Sequence, residues 1–171
     1  MTDPEFRDTF QAHKDVLFRF AYRMTGSMET AEDVVQDCFM TLWRKPEAYR
    51  RDLGALRSFL LGIARNLILK RWRDERRREA LDEDALISAP LDVLERERGE
   101  AVAKAVAQLP LFQREVLVLA EYEEMPLEQI AHATGAGLAA VKSRLHRARQ
   151  NLRRMLAPLL ETKGVSYGTK R

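Results

Sequence analysis

The sequence predicts an all-α protein of two small helical domains joined by a flexible linker. Apolar residues recur at intervals of three and four along most of the 171 residues, which is the spacing that places side chains on one face of a helix. No stretch shows the strict apolar and polar alternation of a half-buried strand. A change in composition after residue 78 separates two halves of similar length, so we expect one domain in each half.

Residues 1–78 are predicted to form three helices. The first ends at Gly26, a residue that suits a helix C-terminus, and Ser27 is placed to cap the second helix. The second helix should end near Lys45, before a proline. The third runs from about residue 56 to residue 78, and its apolar face consists of Phe59, Leu60, Ile63, Leu67 and Ile68.

Charges in this first domain are segregated. Residues 27–37, SMETAEDVVQD, carry four acids and no cation. They form either a solvated helix face or a surface for a basic protein partner, and charge alone leaves both open. The side chains that such a partner would meet are Glu32, Asp33, Gln36 and Asp37. Residues 64–78, ARNLILKRWRDERRR, carry seven cations and two acids, a pattern typical of a nucleic-acid contact. Trp72 could stack on bases there or pack in the core, whereas Phe59 is expected in the core.

Residues 79–92 are predicted to be the linker and residues 93–160 the second domain. Residues 79–100 contain eight acids and two arginines. The first part of this stretch, with its acids and a proline, has the composition of a solvated connection. A helical pattern then resumes and is interrupted at Pro110. The tail, residues 161–171, is expected to be disordered and is assigned no role.

After Pro126 the sequence LEQIAHATGAGLAAVKSRLHRARQNLRRML predicts a helix-turn-helix. This motif needs a small residue where its two helices meet, a glycine in the turn, and a branched apolar residue that packs the second helix back. Ala131, Gly135 and Val141 meet these needs. The buried stripe of the second helix is predicted to be Leu138, Val141, Leu145, Ala148, Leu152, Met155 and Leu159.

The second helix of this motif is basic and has no acidic residue among its cations. Residues 140–156 hold six lysines and arginines and no acid, in a chain whose net charge is only +3. A solvated helix would gain from ion pairs between residues four apart, whereas phosphate neutralisation rewards unpaired cations, so we expect this face to contact DNA. The first residues of such a helix reach base edges; here they are Lys142, Ser143, His146 and Arg147.

Composition and the N-terminal sequence indicate a soluble, cytoplasmic protein. The longest run without charge, residues 129–141, falls short of the roughly 20 apolar residues of a membrane span, so no membrane insertion is expected. The first ten residues lack the basic and apolar parts of a secretory signal. The single cysteine, Cys38, lies in an apolar periodic stretch and is predicted to be a core residue.

Three segments resemble, in order and spacing, the bacterial extracytoplasmic-function (ECF) sigma factors, group 4 of the sigma-70 family. They are AEDVVQDCFMTLWR, LRSFLLGIARNLILKRWR and LPLFQREVLVLAEYEEMPLEQIAHATGAGLAAVKSRLHRARQNL, and the resemblance covers residues 6–157. It implies a two-domain helical protein that binds core RNA polymerase, directs it to promoters and helps to open the DNA. The first domain would correspond to sigma region 2 and the second to sigma region 4.

The resemblance also implies a role for each charged surface. The surface that docks the clamp helices of the polymerase would lie on or near Asp33, Gln36, Asp37, Phe39 and Trp43. The minus-ten element would be read and held open by the loop of residues 50–56, by Arg65 and Asn66, and by the basic side chains Lys70 and Arg73. The minus-thirty-five element would be contacted in the major groove by Lys142, Ser143, Arg144, His146, Arg147 and Arg149.

Two other functions are weighed against this one. One is a self-sufficient helix-turn-helix regulator, in which residues 1–78 sense a signal or dimerise. This hypothesis does not explain why residues 65–78 are basic. An enzyme is disfavoured because the three histidines lack metal-ligand spacing and no P-loop is present, so we expect no catalysis, metal or cofactor. The expected partners are core polymerase, promoter DNA and an anti-sigma protein that enters between the domains and masks both basic faces.

Overall fold

The computed structural model describes residues 2–78 and 97–161, and within these two ranges it contains helices and connecting turns only. The helices are α1 (Asp3–Thr25), α2 (Met28–Arg44), α3 (Leu56–Arg78), α4 (Glu97–Gln108), α5 (Leu111–Leu117), α6 (Leu127–Thr134) and α7 (Leu138–Glu161). The predicted linker at 79–92 and the tail after residue 161 lie outside the described residues. None of the described helices has the length and apolar character that crossing a membrane requires.

The ends of the first helices follow the local signals in the sequence. Gly26 ends α1 in the left-handed conformation (φ 69°) and donates its N–H to the Tyr22 carbonyl at 2.7 Å. Ser27 caps α2, since its Oγ accepts from the Thr30 N–H at 3.1 Å. Both caps and the bounds of α3 confirm the prediction.

Helices α1, α2 and α3 pack on one another around a buried core that includes Cys38, as predicted. Burial raises the pKa of the Cys38 thiol to about 12. The buried face of α3 is wider than predicted, because Leu61 and Ala64 are as fully buried as Leu60 and Ile68. This width follows from the position of α3, which packs on α1 and α2 and also on α6.

In the second half, α5 passes directly into a π-helical segment, Val118–Tyr122, after which the Glu123 N–H donates to the Val118 carbonyl at 3.1 Å. Helices α6 and α7 form the predicted helix-turn-helix, with Gly135 in the left-handed conformation (φ 68°) between them. Burial of Val141 confirms its predicted packing role.

The buried stripe of α7 is shorter than predicted. Leu145 and Ala148 are buried, and Leu152 and Met155 pack against the core. Leu159, however, is 51% exposed. The last residue of the predicted stripe that packs against the core is therefore Met155.

The two halves share one continuous apolar core. Helix α3 packs on α6, and α1 packs on α4, on α5 and on the π-helical segment. Arg114 of α5 lies at this junction with only 2% of its surface exposed. Its guanidinium donates to the carbonyls of Met24 (2.8 Å), Leu109 (3.1 Å) and Ala107. Burial lowers the pKa of Arg114 to about 10, so the side chain stays charged at neutral pH.

Candidate functional site

The outward face of α7 presents the predicted DNA-contacting residues. Five of them are exposed: Lys142, Ser143, His146, Arg147 and Arg149. Arg144 is half-buried because its guanidinium lies over the Phe112 ring, 5.0 Å from the centroid. The opposite face is anchored in the core, so these side chains are fixed to a rigid helix.

One of these cations has an acidic partner that the sequence of α7 did not indicate. Arg149 donates to the Glu121 carboxylate, which the π-helical segment supplies. Within the described part of the chain, no carboxylate lies at ion-pair distance from Lys142, Arg144 or Arg147. The expectation of an unpaired cationic face is therefore wrong for Arg149 and correct for these three residues.

The predicted minus-ten residues lie on α3, but they are not equally accessible. Asn66, Lys70 and Arg73 are exposed. The Arg65 side chain is only 12% exposed, and its Nε and Nη2 donate to Glu115 at 2.8 Å and 3.2 Å. The expectation that Arg65 faces DNA is therefore not met in this arrangement, because a buried carboxylate occupies its guanidinium.

The two aromatic residues considered for base stacking pack against the core. Phe59 is half-buried, with its ring 5.5 Å from that of Tyr49. Trp72 is half-buried too, with Arg114 6.0 Å from its ring centroid. The core interpretation therefore fits both residues better than the stacking one.

The acidic face of α2 is exposed and partly neutralised from within the chain. Arg71 of α3 donates to Asp37 at 2.9 Å and to Asp33 at 3.4 Å, while Gln36 is exposed beside them. Side chains this exposed exchange partners at low cost. A basic partner would therefore compete with Arg71 for the two carboxylates.

Phe39, which was predicted to lie on or near the docking surface, lies beneath the exposed face of α2 and not on it. It is 2% exposed and its ring packs against those of Phe10 (4.8 Å) and Phe6 (6.0 Å). Trp43, by contrast, is 42% exposed and its ring lies 4.8 Å from that of Phe6. An open groove of about 550 Å³ between α1 and α2 is lined by Phe6 and Phe10 of α1 and by Phe39 and Met40 of α2.

Two buried acids were missed by reasoning from the sequence. Glu115 is fully buried and Glu123 is 1% exposed, and both pair with arginines of the first half. The available signal was an acid within an apolar helical register, since Glu115 directly precedes Val116 and Leu117. Buried acids of this kind are normally paired, but the pattern does not say with which residue.

Two family models match the chain: Sigma-70 region 2 over residues 9–78, and Sigma-70, region 4 over residues 99–152. The ECF RNA polymerase sigma factor SigL of Mycobacterium tuberculosis is 34% identical over 158 residues, which cover 90% of this chain and 89% of SigL. The chain belongs to the ECF RNA polymerase sigma factors. SigE of Mycolicibacterium smegmatis is also 34% identical, over 162 residues, but the match spans 90% of this chain and only 62% of SigE.

Two solved structures share the fold of this chain. The sigma factor RpoE of Bartonella quintana, crystallised with the anti-sigma factor NepR, superposes with a TM-score of 0.74 at 25% identity, covering 90% of this chain and 97% of RpoE. CnrH superposes with a TM-score of 0.67 at 24% identity, covering 95% of this chain and 91% of CnrH. Both superpositions take in both halves, so the two-domain fold is confirmed.

Membership of the ECF sigma factors decides between the functions weighed above. The relatives are RNA polymerase sigma factors, which are transcription initiation factors and not enzymes. The region 2 match also covers the residues that the alternative assigned to sensing or dimerisation. A self-sufficient regulator is therefore not favoured.

The different burial of Phe39 and Trp43 predicts different effects on stability. Phe39→Ala should lower the free energy of unfolding by about 3–5 kcal/mol, because it leaves a cavity in the core. Trp43→Ala should lower it less, since that ring is already partly solvated. Chemical denaturation of both variants, followed by circular dichroism, measures the difference; equal losses would contradict the placement of Phe39 beneath the groove.

Proposed function

We propose that this ECF sigma factor binds core RNA polymerase through α2 and directs it to promoters through α7 and α3. The observation that carries the proposal is the outward face of α7. It combines cations that have no carboxylate partner in the described chain with an inner face fixed by Val141, Leu145 and Ala148. Such a helix suits the major groove, in which its first residues reach base edges and later ones contact phosphates.

Recognition of the minus-thirty-five element is assigned to the exposed N-terminal part of α7. Lys142, Ser143 and His146 offer hydrogen-bonding groups for base edges, and Arg147 can bind either a guanine edge or a phosphate. Arg144 and Arg149 follow on the flanks, where phosphate contacts would fix the register of the helix. Arg149 would exchange Glu121 for a phosphate.

Contact with the minus-ten element is assigned to α3 and to the preceding loop, residues 50–56. Asn66, Lys70 and Arg73 are exposed and ready for such a contact. Arg65 would join them only after it leaves Glu115. The loop carries two adjacent cations, Arg50 and Arg51, of which Arg50 pairs with Asp52 at 2.7 Å.

Docking on the polymerase is assigned to the acidic face of α2 and the adjacent groove. Asp33, Gln36 and Asp37 would supply the polar contacts, and Trp43 the exposed apolar one. Phe39 would act from below, by fixing the shape of the groove. This combination of an exposed aromatic ring with a polar rim is typical of protein interfaces.

An anti-sigma factor is a further proposed partner, because RpoE of Bartonella quintana was crystallised with one. In this chain the halves are in direct contact. A protein that enters between them would therefore have to break the pair between Arg65 and Glu115. We place this regulation in the cytoplasm, and we assign all nucleotide chemistry to the polymerase and none to this chain.

The proposed function predicts promoter-specific transcripts that require both components. Core polymerase alone and core polymerase with this chain are incubated with genomic DNA and nucleotides, and the 5′ ends of the transcripts are sequenced. We expect start sites that share upstream elements only when the chain is present. Identical start sites with and without it would contradict the proposal.

The docking assignment predicts a weaker complex with core polymerase when the α2 acids are neutralised. Asp33→Asn with Asp37→Asn should lower the affinity by about tenfold, since an exposed charge pair contributes about 0.2–1 kcal/mol. The matched control is Asp8→Asn with Glu124→Gln, which removes the same charge from exposed positions outside α2. Titration of fluorescent chain with core polymerase measures both; equal affinities would refute the assignment.

The α7 assignment predicts a steep dependence of DNA binding on salt. If about five cations of this helix meet phosphates, they contribute about −4 to −5 to the slope of log K against log salt. Lys142→Gln with Arg147→Gln should reduce the slope by about 2. The control, Arg7→Gln with Arg19→Gln, removes exposed cations of α1 and should leave the slope unchanged. Binding to a minus-thirty-five duplex at several salt concentrations tests this.

A further inference from the structure

Two arginines of α7, Arg144 and Arg149, lie on opposite flanks of its buried stripe. Five positions separate them in the sequence, which places them about 140° apart around the axis of a regular helix. The buried residues Val141, Leu145 and Ala148 lie between the two flanks. Helix α5 supplies the partner of one arginine, and the π-helical segment supplies the partner of the other.

The two partners differ in charge. Arg149 donates from Nε to the Glu121 carboxylate at 2.8 Å, so a negative charge neutralises it. Arg144 lies over the Phe112 ring, with its guanidinium carbon 5.0 Å from the ring centroid. An aromatic ring attracts a cation through its quadrupole and carries no net charge. Arg144 is therefore oriented by its partner and yet keeps its full positive charge.

Phe112 belongs to a fixed part of the fold. It is the second residue of α5, in which Arg114, Val116 and Leu117 are buried. The Phe112 side chain itself is 47% exposed, so the core does not require an aromatic ring at this position. The contact with Arg144 is the interaction for which a ring, rather than an aliphatic side chain, matters.

A second contact orders the same flank further along α7. Gln113 Oε1 accepts from Asn151 Nδ2 at 2.7 Å, and Asn151 Oδ1 accepts from Arg154. Asn151 follows Arg144 by about two helical turns, so both residues lie on one flank. Consecutive residues of α5 thus contact this flank at two levels.

We propose that Phe112 is a positioning residue for DNA binding, whose ring holds the Arg144 guanidinium ready for a backbone phosphate at the edge of the major groove. The inference rests on the proposed function, since Arg144 meets a phosphate only if α7 enters that groove. A guanidinium is planar, so one face stacks on a ring while the N–H groups in its plane point outward. Two of these N–H groups match two oxygens of a phosphate.

The ring and the carboxylate lead to different costs when DNA binds. Arg149 must leave Glu121 before it contacts a phosphate, and Glu121 then lies near the anionic backbone without its partner. Arg144 leaves no anion behind, and its contact with Phe112 persists in the complex. Part of the entropy cost of ordering a long side chain is already met in the free protein. The Arg144 flank should therefore contribute more to DNA affinity than the Arg149 flank.

Replacement of the ring tests the role of Phe112. Phe112→Leu keeps an apolar side chain but removes the quadrupole, and it should weaken binding of the full chain to a minus-thirty-five duplex about two- to fivefold. Phe112→Tyr keeps the ring and should bind as the unmodified chain does. Because both variants retain Arg144, the slope of log K against log salt should not change. Fluorescence anisotropy at several salt concentrations measures affinity and slope, and circular dichroism checks the fold.

A double-mutant cycle separates positioning from a purely structural effect. Arg144→Gln should reduce the magnitude of the salt slope by about 1, and in that background Phe112→Leu should cause no further loss of affinity. A ring that merely stabilised α5 would cost the same affinity in both backgrounds. The matched comparison is Arg149→Gln, which removes the same charge from the flank that Glu121 neutralises and should weaken binding less than Arg144→Gln.

Three results would overturn the positioning role. They are an unchanged affinity of Phe112→Leu, an equal loss of affinity with and without Arg144, and a Phe112→Leu variant that binds the duplex normally but binds core polymerase weakly. The last result would place the ring in a protein interface. Failure of the proposed function looks different, because then the unmodified chain would bind the minus-thirty-five duplex no more tightly than a scrambled duplex of the same length.

Discussion

The buried guanidinium of Arg114 is the interaction on which the arrangement of the two halves depends. It donates to the Met24 carbonyl in the last turn of α1 and to the Ala107 and Leu109 carbonyls at the end of α4. Helix C-termini leave carbonyls without intrahelical partners and carry partial negative charge. One fixed cation therefore satisfies two helix ends at once, and the start of α5 must lie where they meet.

Much of this structure could be predicted from the sequence because it depends on residues that are close together along the chain. The caps at Gly26 and Ser27, the bounds of α3 and the turn at Gly135 each depend on residues within a few positions, so the sequence shows them directly. The same holds for the face of α7 that carries Lys142 and Arg147. Ion pairs between residues far apart in the sequence could not be predicted in this way. Arg149 meets Glu121 across 28 residues of sequence, and Arg65 meets Glu115 across 50.

Burial, too, depends on the assembled helices rather than on each helix alone. Phe39 was placed on or near a docking surface through a resemblance of motifs, which does not tell whether its ring is exposed; two rings of α1 cover it. Leu61 and Ala64 were left off the apolar face of α3 because a single stripe was assumed, whereas α3 packs on both halves. An apolar residue off the main stripe, or a charged residue within it, is thus the best sequence sign of a second packing partner.

The π-helical segment determines the angle, measured around the helix axis, between the side chains of Glu115 and Glu123, the two buried acids where the halves meet. Glu115 and Glu123 are eight residues apart, and a regular α-helix would leave their side chains about 80° out of line. The wider π turn rotates less for each residue, which brings Glu123 back toward the side of Glu115. The extra residue accommodated in Val118–Tyr122 therefore works as a spacer, and shortening it would turn one carboxylate away while both remain in the chain.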